Sequence, residues 1–222
     1  MAGFAGFDIS GYPGDAIMAW LKQNSNLVWT GFYLGKTPSH TGTDWMSKRA
    51  TLVHQGWGLA PVYVGQQVTG PGSHHTSGPQ GTIDAKETGA LLTAAGFPSG
   101  SCAYLDLENG PPLTPLQVDY VGHWVDQMIA QGFAPGIYCS HSVAAAVHQV
   151  RSTARIWAFK VSTTQPHPVP GHNFPDLHPA GSGYAGASAW QLGQSCIIDV
   201  PIAPHGKLTV DLDTAVSPDP SK

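Results

Sequence analysis

The residues of this sequence best suited to chemistry are the carboxylates Asp106 and Glu108, in the stretch Ala103-Tyr104-Leu105-Asp106-Leu107-Glu108-Asn109. The run reads as a buried strand. Side chains alternate between the faces of a strand, so Tyr104, Asp106 and Glu108 share one side and Leu105 and Leu107 the other. Carboxylates at i and i+2 lie ~6–7 Å apart at the backbone. Core packing has no use for such a pair, because an unpaired buried charge is costly. Acid–base catalysis does, because neighbouring carboxylates push each other's pKa values apart. The competing account is a strand that runs out into a solvated turn at Asn109-Gly110-Pro111-Pro112.

The surrounding elements decide what these carboxylates can face. Phe4 to Ser10 reads as a first strand, Asp15 to about Asn24 as a helix, and Leu27 to Leu34 as a second strand. Thr43 or Asp44 should open a helix to about Gln55 that stops at Gly56. A strand at Gly58–Gly65, a Gly/Pro/Ser/His loop over 68–81 and a helix from about Ile83 to Ala95 follow. After the carboxylate strand, Thr114-Pro115 caps a helix to about Gln131. The remaining expectations are strands at Pro135–Ser140, Ala154–Lys160, Ala187–Leu192 and Lys207–Asp213, a helix at Ser142–Val150, and a loop over 163–185. Strand–helix alternation through the first half argues for parallel βα units. Eight such strands in a chain of 222 residues fit an α/β fold, a TIM-like (β/α)8 barrel that is irregular, with few helices in its second half. An open doubly wound sheet is the alternative, weakened by the lack of a Gly-rich phosphate loop after the first strand.

In a barrel, chemistry collects at the C-terminal strand ends. Those ends carry Asp8 and Ser10, Tyr33, Gln66 and Gln67, Asp106 and Glu108, Tyr138 and Ser140, Trp157 and Lys160, Trp190 and Gln191, and Asp211 and Asp213. Five of the chain's 14 acidic residues therefore fall at three strand ends, in a chain with only 11% charged residues. That concentration favours a carboxylate site. The accompanying Tyr and Trp suit a sugar, whose apolar faces stack on aromatic rings while its hydroxyls meet carboxylates and amides. Barrel packing is the other use for those rings.

A net charge of −4 offers no footprint for nucleic acid. No apolar run is long enough to span a bilayer, and the first residues have no basic leader segment. Cys102, Cys139 and Cys196 match no zinc or redox spacing and read as small buried residues. The 11 histidines cluster in loops, at His74-His75 and at His167, His172 and His178, and read as exposed rather than metal-binding. No cofactor or metal is expected. Residues 217–222 read as a disordered tail.

The ordered set Gly6-Phe7-Asp8-Ile9-Ser10, Gly31-Phe32-Tyr33, Tyr63-Val64-Gly65-Gln66-Gln67, Tyr104-Leu105-Asp106-Leu107-Glu108, Gly136-Ile137-Tyr138, Trp157-Ala158, Trp190-Gln191 and Val210-Asp211-Leu212-Asp213 spans nearly the whole chain. It resembles the glycoside-hydrolase-like domain of uncharacterised bacterial secreted proteins, which is related to the family 25 lysozymes (muramidases). The resemblance implies one such barrel domain over residues 1–216, working as a monomer on a cell-wall glycan outside the cell or at its wall. It implies Glu108 as general acid and Asp106 as its partner, orienting a 2-acetamido group or stabilising the cationic transition state. Asp8 and Asp211 match the carboxylates of the first and last strands. Tyr33, Tyr63, Gln66, Tyr138, Trp157, Lys160, Trp190 and Gln191 are the expected substrate contacts. Burial and the charge of Asp106 should raise the pKa of Glu108. The sequence departs from the family in Lys160, which places a cation near the site, and in its long His-rich loops. Three other functions fit the same residues: a glycan-binding barrel without turnover, a hydrolase of a different polysaccharide, or a metal-dependent hydrolase with Asp8, Asp106 and Asp211 as hard oxygen ligands.

Overall fold

A computed structural model describes residues 2–222. Strands β1 (Phe4–Asp8), β2 (Trp29–Tyr33), β3 (Gly58–Tyr63), β4 (Cys102–Leu107), β5 (Ala134–Ser140), β6 (Arg155–Phe159), β8 (Ala189–Asp199) and β9 (Lys207–Ala215) form a barrel, closed by pairing of β6 with β8 and of β9 with β1. Helices α1 (Asp15–Asn24), α2 (Arg49–His54), α3 (Gly78–Ala94), α4 (Pro115–Ala130) and α5 (His141–Val150) follow the first five strands apart from β2–α2's long approach, and none stands between β6 and β9. The expected thin second half is thus present.

Two apolar layers hold this architecture. Outward-facing residues such as Phe7, Tyr63, Leu105 and Leu107 pack with Tyr120, Trp124 and the other helix residues. Inward-facing Trp29, Tyr104 and Trp157 fill the barrel with small residues around them. Edge-on contacts of Trp157 with Trp29, Tyr104 and Tyr138, at 5.3–5.5 Å between ring centres, make that interior solid. Two glycines make it possible: a Cβ on Gly6 would stand 2.2 Å from the Trp29 ring, and one on Gly136 2.5 Å from Tyr104.

Five expectations need correction. The last strand, β9, is antiparallel to both neighbours. Its mouth end is therefore its first half, which puts Asp211 at the mouth and Asp213 one pleat deeper. Strand β8 does not end near Leu192 but runs to Asp199, so β8 and β9 rise above the mouth as a hairpin, with bulges between Gln191 and Cys196. A three-residue strand, β7 (His167–Val169), pairs with this arm from within the expected loop. Helix α3 begins at Gly78, because the Ser77 side chain caps it and Pro79 occupies its first turn. Helix α2 is shorter than expected: Asp44 accepts the Tyr12 N–H at 2.7 Å instead of opening a helix.

Residues 217–222 are also not disordered. They close the base of the barrel, where Ser221 C=O accepts the Cys102 N–H at 2.7 Å and Pro220 C=O accepts the Tyr104 O–H at 3.3 Å. Asp219 Oδ1 accepts the Leu59 N–H, which has no strand partner there. The three cysteines are free and buried, as expected. No helix among the described residues is long and apolar enough to cross a membrane.

Candidate active site

Pleat parity carries four acidic side chains into the barrel mouth: Asp8 from β1, Asp106 from β4, and Asp211 and Asp213 from β9. Asp8 and Asp211 are direct cross-strand partners. Gly31 on the neighbouring strand leaves the room that Asp8 needs, since a Cβ there would lie 2.7 Å from the Asp8 Cβ. Glu108 lies just past the end of β4, on the exposed rim. Asp8, Asp106, Glu108 and Asp211 line one pit of ≈ 50 Å³ together with Tyr33, Tyr138, Trp157 and Gln191.

The pit holds a few waters or one small substituent, not a sugar ring. Two shallower depressions continue from it. One passes Ile9, Ser10, Ser195 and Thr209, and the other Ser39, His40, Val64, Gln67 and Pro71. They share Asp8, Tyr33 and Asp211 with the pit on one side, and Tyr33, Asp106 and Glu108 on the other. The result is a groove across the barrel mouth with carboxylates at its centre.

Each carboxylate has a different set of partners. Tyr33 O–H donates to Asp8 Oδ1 at 2.6 Å. Ser195 N–H donates to Asp211 Oδ1 at 2.7 Å, and Gln191 Nε2–H donates to Asp211 Oδ2 while its Oε1 accepts the Tyr138 O–H. Ser195 reaches Asp211 by adopting φ +55°, in the left-handed region that non-glycine residues seldom occupy. Asp106 Oδ1 is buried with no donor facing it.

Burial is the first cause of raised carboxyl pKa values throughout the site. Asp8 is pushed up to about 7 by burial and then by Asp211. Asp106 is held well above the ordinary range by burial, Glu108 and Asp8. Glu108 is raised by loss of solvent and by Asp211. The expected effect of Asp106 on Glu108 is therefore supplied by Asp211. Asp211 is raised by burial against the opposing pull of Ser195 and Gln191.

Several expected substrate contacts lie elsewhere. Tyr63 faces outward and donates to Glu87 at 2.6 Å. Gln66 is buried behind β3, donating to Asp84 and accepting the His75 N–H. Trp190 faces away from the pit and donates to the Lys160 carbonyl at 3.1 Å. Lys160 Nζ lies beside the Gly183 turn and the His141 ring, so no cation reaches the pit from it. Trp157 does border the pit, but at 1 % exposure it is a floor and not a stacking face. Tyr33, Tyr138 and Gln191 are where they were expected. Gln67, placed at a strand end but not among the expected substrate contacts, donates its Nε2–H to the Asp106 carbonyl at 3.2 Å, and sequence reasoning passed over Gln194 and Ser195 on the bulged arm. Among the described residues, no group of three His, Cys, Asp or Glu side chains is arranged to hold a metal ion.

The sequence matches the model of the Rv2525c-like, glycoside hydrolase-like domain over residues 19–200. No curated protein matches it in sequence. Among solved structures, the Tat-secreted protein Rv2525c of Mycobacterium tuberculosis, in complex with L-tartrate, superposes with TM-score 0.63 at 17% identity, over 98% of this chain and 97% of that one. A lysozyme of Streptomyces coelicolor gives TM-score 0.61 at 14% identity, over 98% and 94%. A family 25 glycosyl hydrolase of Bacillus anthracis gives 0.58 at 14% identity, over 97% and 90%. At these identities the likeness is one of fold.

Proposed function

The chain belongs to the Rv2525c-like, glycoside hydrolase-like domain family, and on that premise we propose that it hydrolyses a bacterial cell-wall glycan of the peptidoglycan type, outside the cell or at its wall. The observation that carries this reading is the groove across the barrel mouth with Asp106, Glu108, Asp8 and Asp211 at its centre. Depressions on either side of the pit suit a stretch of polymer longer than one sugar, and their mixture of carboxylates, amides, tyrosines and aliphatic side chains suits a sugar chain.

Glu108 is the general acid. It sits on the rim, where a glycosidic oxygen can reach it, and its raised pKa keeps it protonated further toward neutrality. Protonation of the leaving oxygen develops positive charge on the sugar. Asp8 and Asp211 stand across the pit to stabilise it. Asp106 is the orienting partner. It lines a pit sized for one substituent, which fits the acetamido group of an N-acetylated sugar whose own carbonyl attacks the anomeric carbon. That route retains configuration.

The test is reducing-sugar release from purified peptidoglycan by the native protein and by Glu108→Gln. Release by the native protein alone supports the assignment. Equal release by both removes Glu108 from its role. No release by either, together with retained glycan affinity, would make the barrel a binding module.

A further inference from the structure

Asp213 is the carboxyl for which the proposed hydrolysis has no use. It lies on β9 opposite Gly6 of β1 and Gln191 of β8, and it is 1 % exposed. Its Oδ1 accepts the Trp157 Nε1–H at 3.1 Å. Its Oδ2 is buried and meets no N–H or O–H donor. Asp8 is its diagonal neighbour on the same face of the β1–β9 pair, and the two carboxyls are in hydrogen-bonding contact. Two carboxylates have only acceptor atoms, so this contact exists only with a proton in it.

The charged and titratable groups around the pair are Asp211 beside it on β9, Tyr33 on β2, Asp106 on β4, Tyr138 on β5 and Glu108 at the rim, and no Lys, Arg or His lines the pit. With no cation among these neighbours, the cheapest arrangement keeps one proton between the two buried carboxyls.

We propose that Asp213 is a positioning residue that keeps this proton and donates it as a hydrogen bond to Asp8. Asp8 is then gripped by two O–H donors, Tyr33 and Asp213, and is the member of the pair that ionises. The direction agrees with the depth of the two groups: Asp8 lines the pit and already accepts from Tyr33, whereas Asp213 lies one pleat deeper with an unpartnered Oδ2. The consequence for turnover rests on the hydrolase reading. The hydrogen bond does not.

The experiment is a carboxyl ¹³C NMR titration of protein labelled at aspartate, with Asp8→Asn and Asp213→Asn assigning the two resonances. Asp213 should stay in its protonated form through neutral pH. Asp213→Asn retains an N–H donor and should keep the Asp8 midpoint within about half a unit, while Asp213→Val removes the donor at similar volume and should raise it by about one unit. An ionised Asp213 at neutral pH overturns the proposal. So does an unmoved Asp8 midpoint in Asp213→Val, or an equal rise in both variants. Should Asp213→Val not fold, the native titration and Asp213→Asn still decide. A merely space-filling Asp213 would leave Asp8 where it is. Sugar release is measured beside the titration. Titrations as expected with no release by any protein would sink the hydrolase reading and leave the hydrogen bond standing.

Discussion

Asp8 and Asp211 stand directly opposite each other on the antiparallel strands β1 and β9. Like charges in that position repel, and the pit around them has little room for water. The structure gives the two groups separate donors: Tyr33 for Asp8, and Ser195 with Gln191 for Asp211. Those donors lower both pKa values without overcoming burial. The fold therefore carries protons at its mouth that the unfolded chain releases.

Stability should fall as pH rises through neutrality. A carboxyl whose folded pKa is raised contributes stability that is complete below its unfolded pKa, near 4, and lost as pH passes the folded value. For Asp8 that window runs up to about 7 and corresponds to about 4 kcal/mol. Asp15, Asp126 and Asp199 are lowered and act in the opposite sense, but they are exposed, where solvent screens such pairs. The melting temperature is expected to be higher near pH 5 than near pH 8, and Asp8→Asn should flatten that slope. A native melting temperature that climbs between those pH values would contradict a protonated cluster.

Gly31→Ala should disturb Asp8 without touching its carboxyl. The added methyl group would stand 2.7 Å from the Asp8 Cβ, so one strand or the other must shift. The expected cost is about 1–3 kcal/mol in urea unfolding, with a loss of about tenfold or more in sugar release from misplacement of Asp8. Gly11→Ala is the control, since its new Cβ has nothing closer than 3.9 Å. Equal behaviour of the two variants would show that Asp8 has slack.

Particular residues show what the sequence could and could not disclose. Strands β1 to β6 were legible because their alternation and caps are local, and Asp106 and Leu105 fell on opposite faces as parity required. Parity also forbids Trp190 and Gln191 from both facing the pit, so one of that adjacent pair had to be wrong. Gln66 and Gln67 are harder. The strand ends at Tyr63, and beyond it no period connects side chain to face. Asp213 falls at the C-terminal end of Lys207–Asp213, which is the mouth only if that strand runs parallel to the others. Its depth depends on strand direction, which nothing local in Lys207–Asp213 encodes. The order in residues 217–222 comes from groups remote in sequence, at Leu59, Cys102 and Tyr104.

Removal of residues 217–222 should weaken the barrel at the end opposite the site. It would strip acceptors from the Leu59 and Cys102 N–H groups and from the Tyr104 O–H. At about 1 kcal/mol for each lost hydrogen bond, the expected loss is roughly 3 kcal/mol in denaturant unfolding, with glycan affinity of the folded protein unchanged. An unaltered unfolding midpoint would show that the tail only covers the base.

Gln66→Ala and Gln67→Ala should separate support from site. Gln66 serves a buried network in which Asp84 also accepts from Tyr120 and Gln80. Its removal leaves the His75 N–H without its acceptor and should cost about 1–3 kcal/mol of stability, with a small effect on turnover of the protein that remains folded. Gln67 borders the groove and holds the backbone of Asp106. Its removal should change stability by about 1 kcal/mol or less, but should raise KM and lower kcat together, because both the groove wall and the Asp106–Glu108 segment lose a fixed point. Unfolding curves and sugar-release kinetics on the two variants check this directly. A larger kinetic defect in Gln66→Ala would mean that the network behind β3, rather than the groove face of the loop, sets the position of the carboxylates.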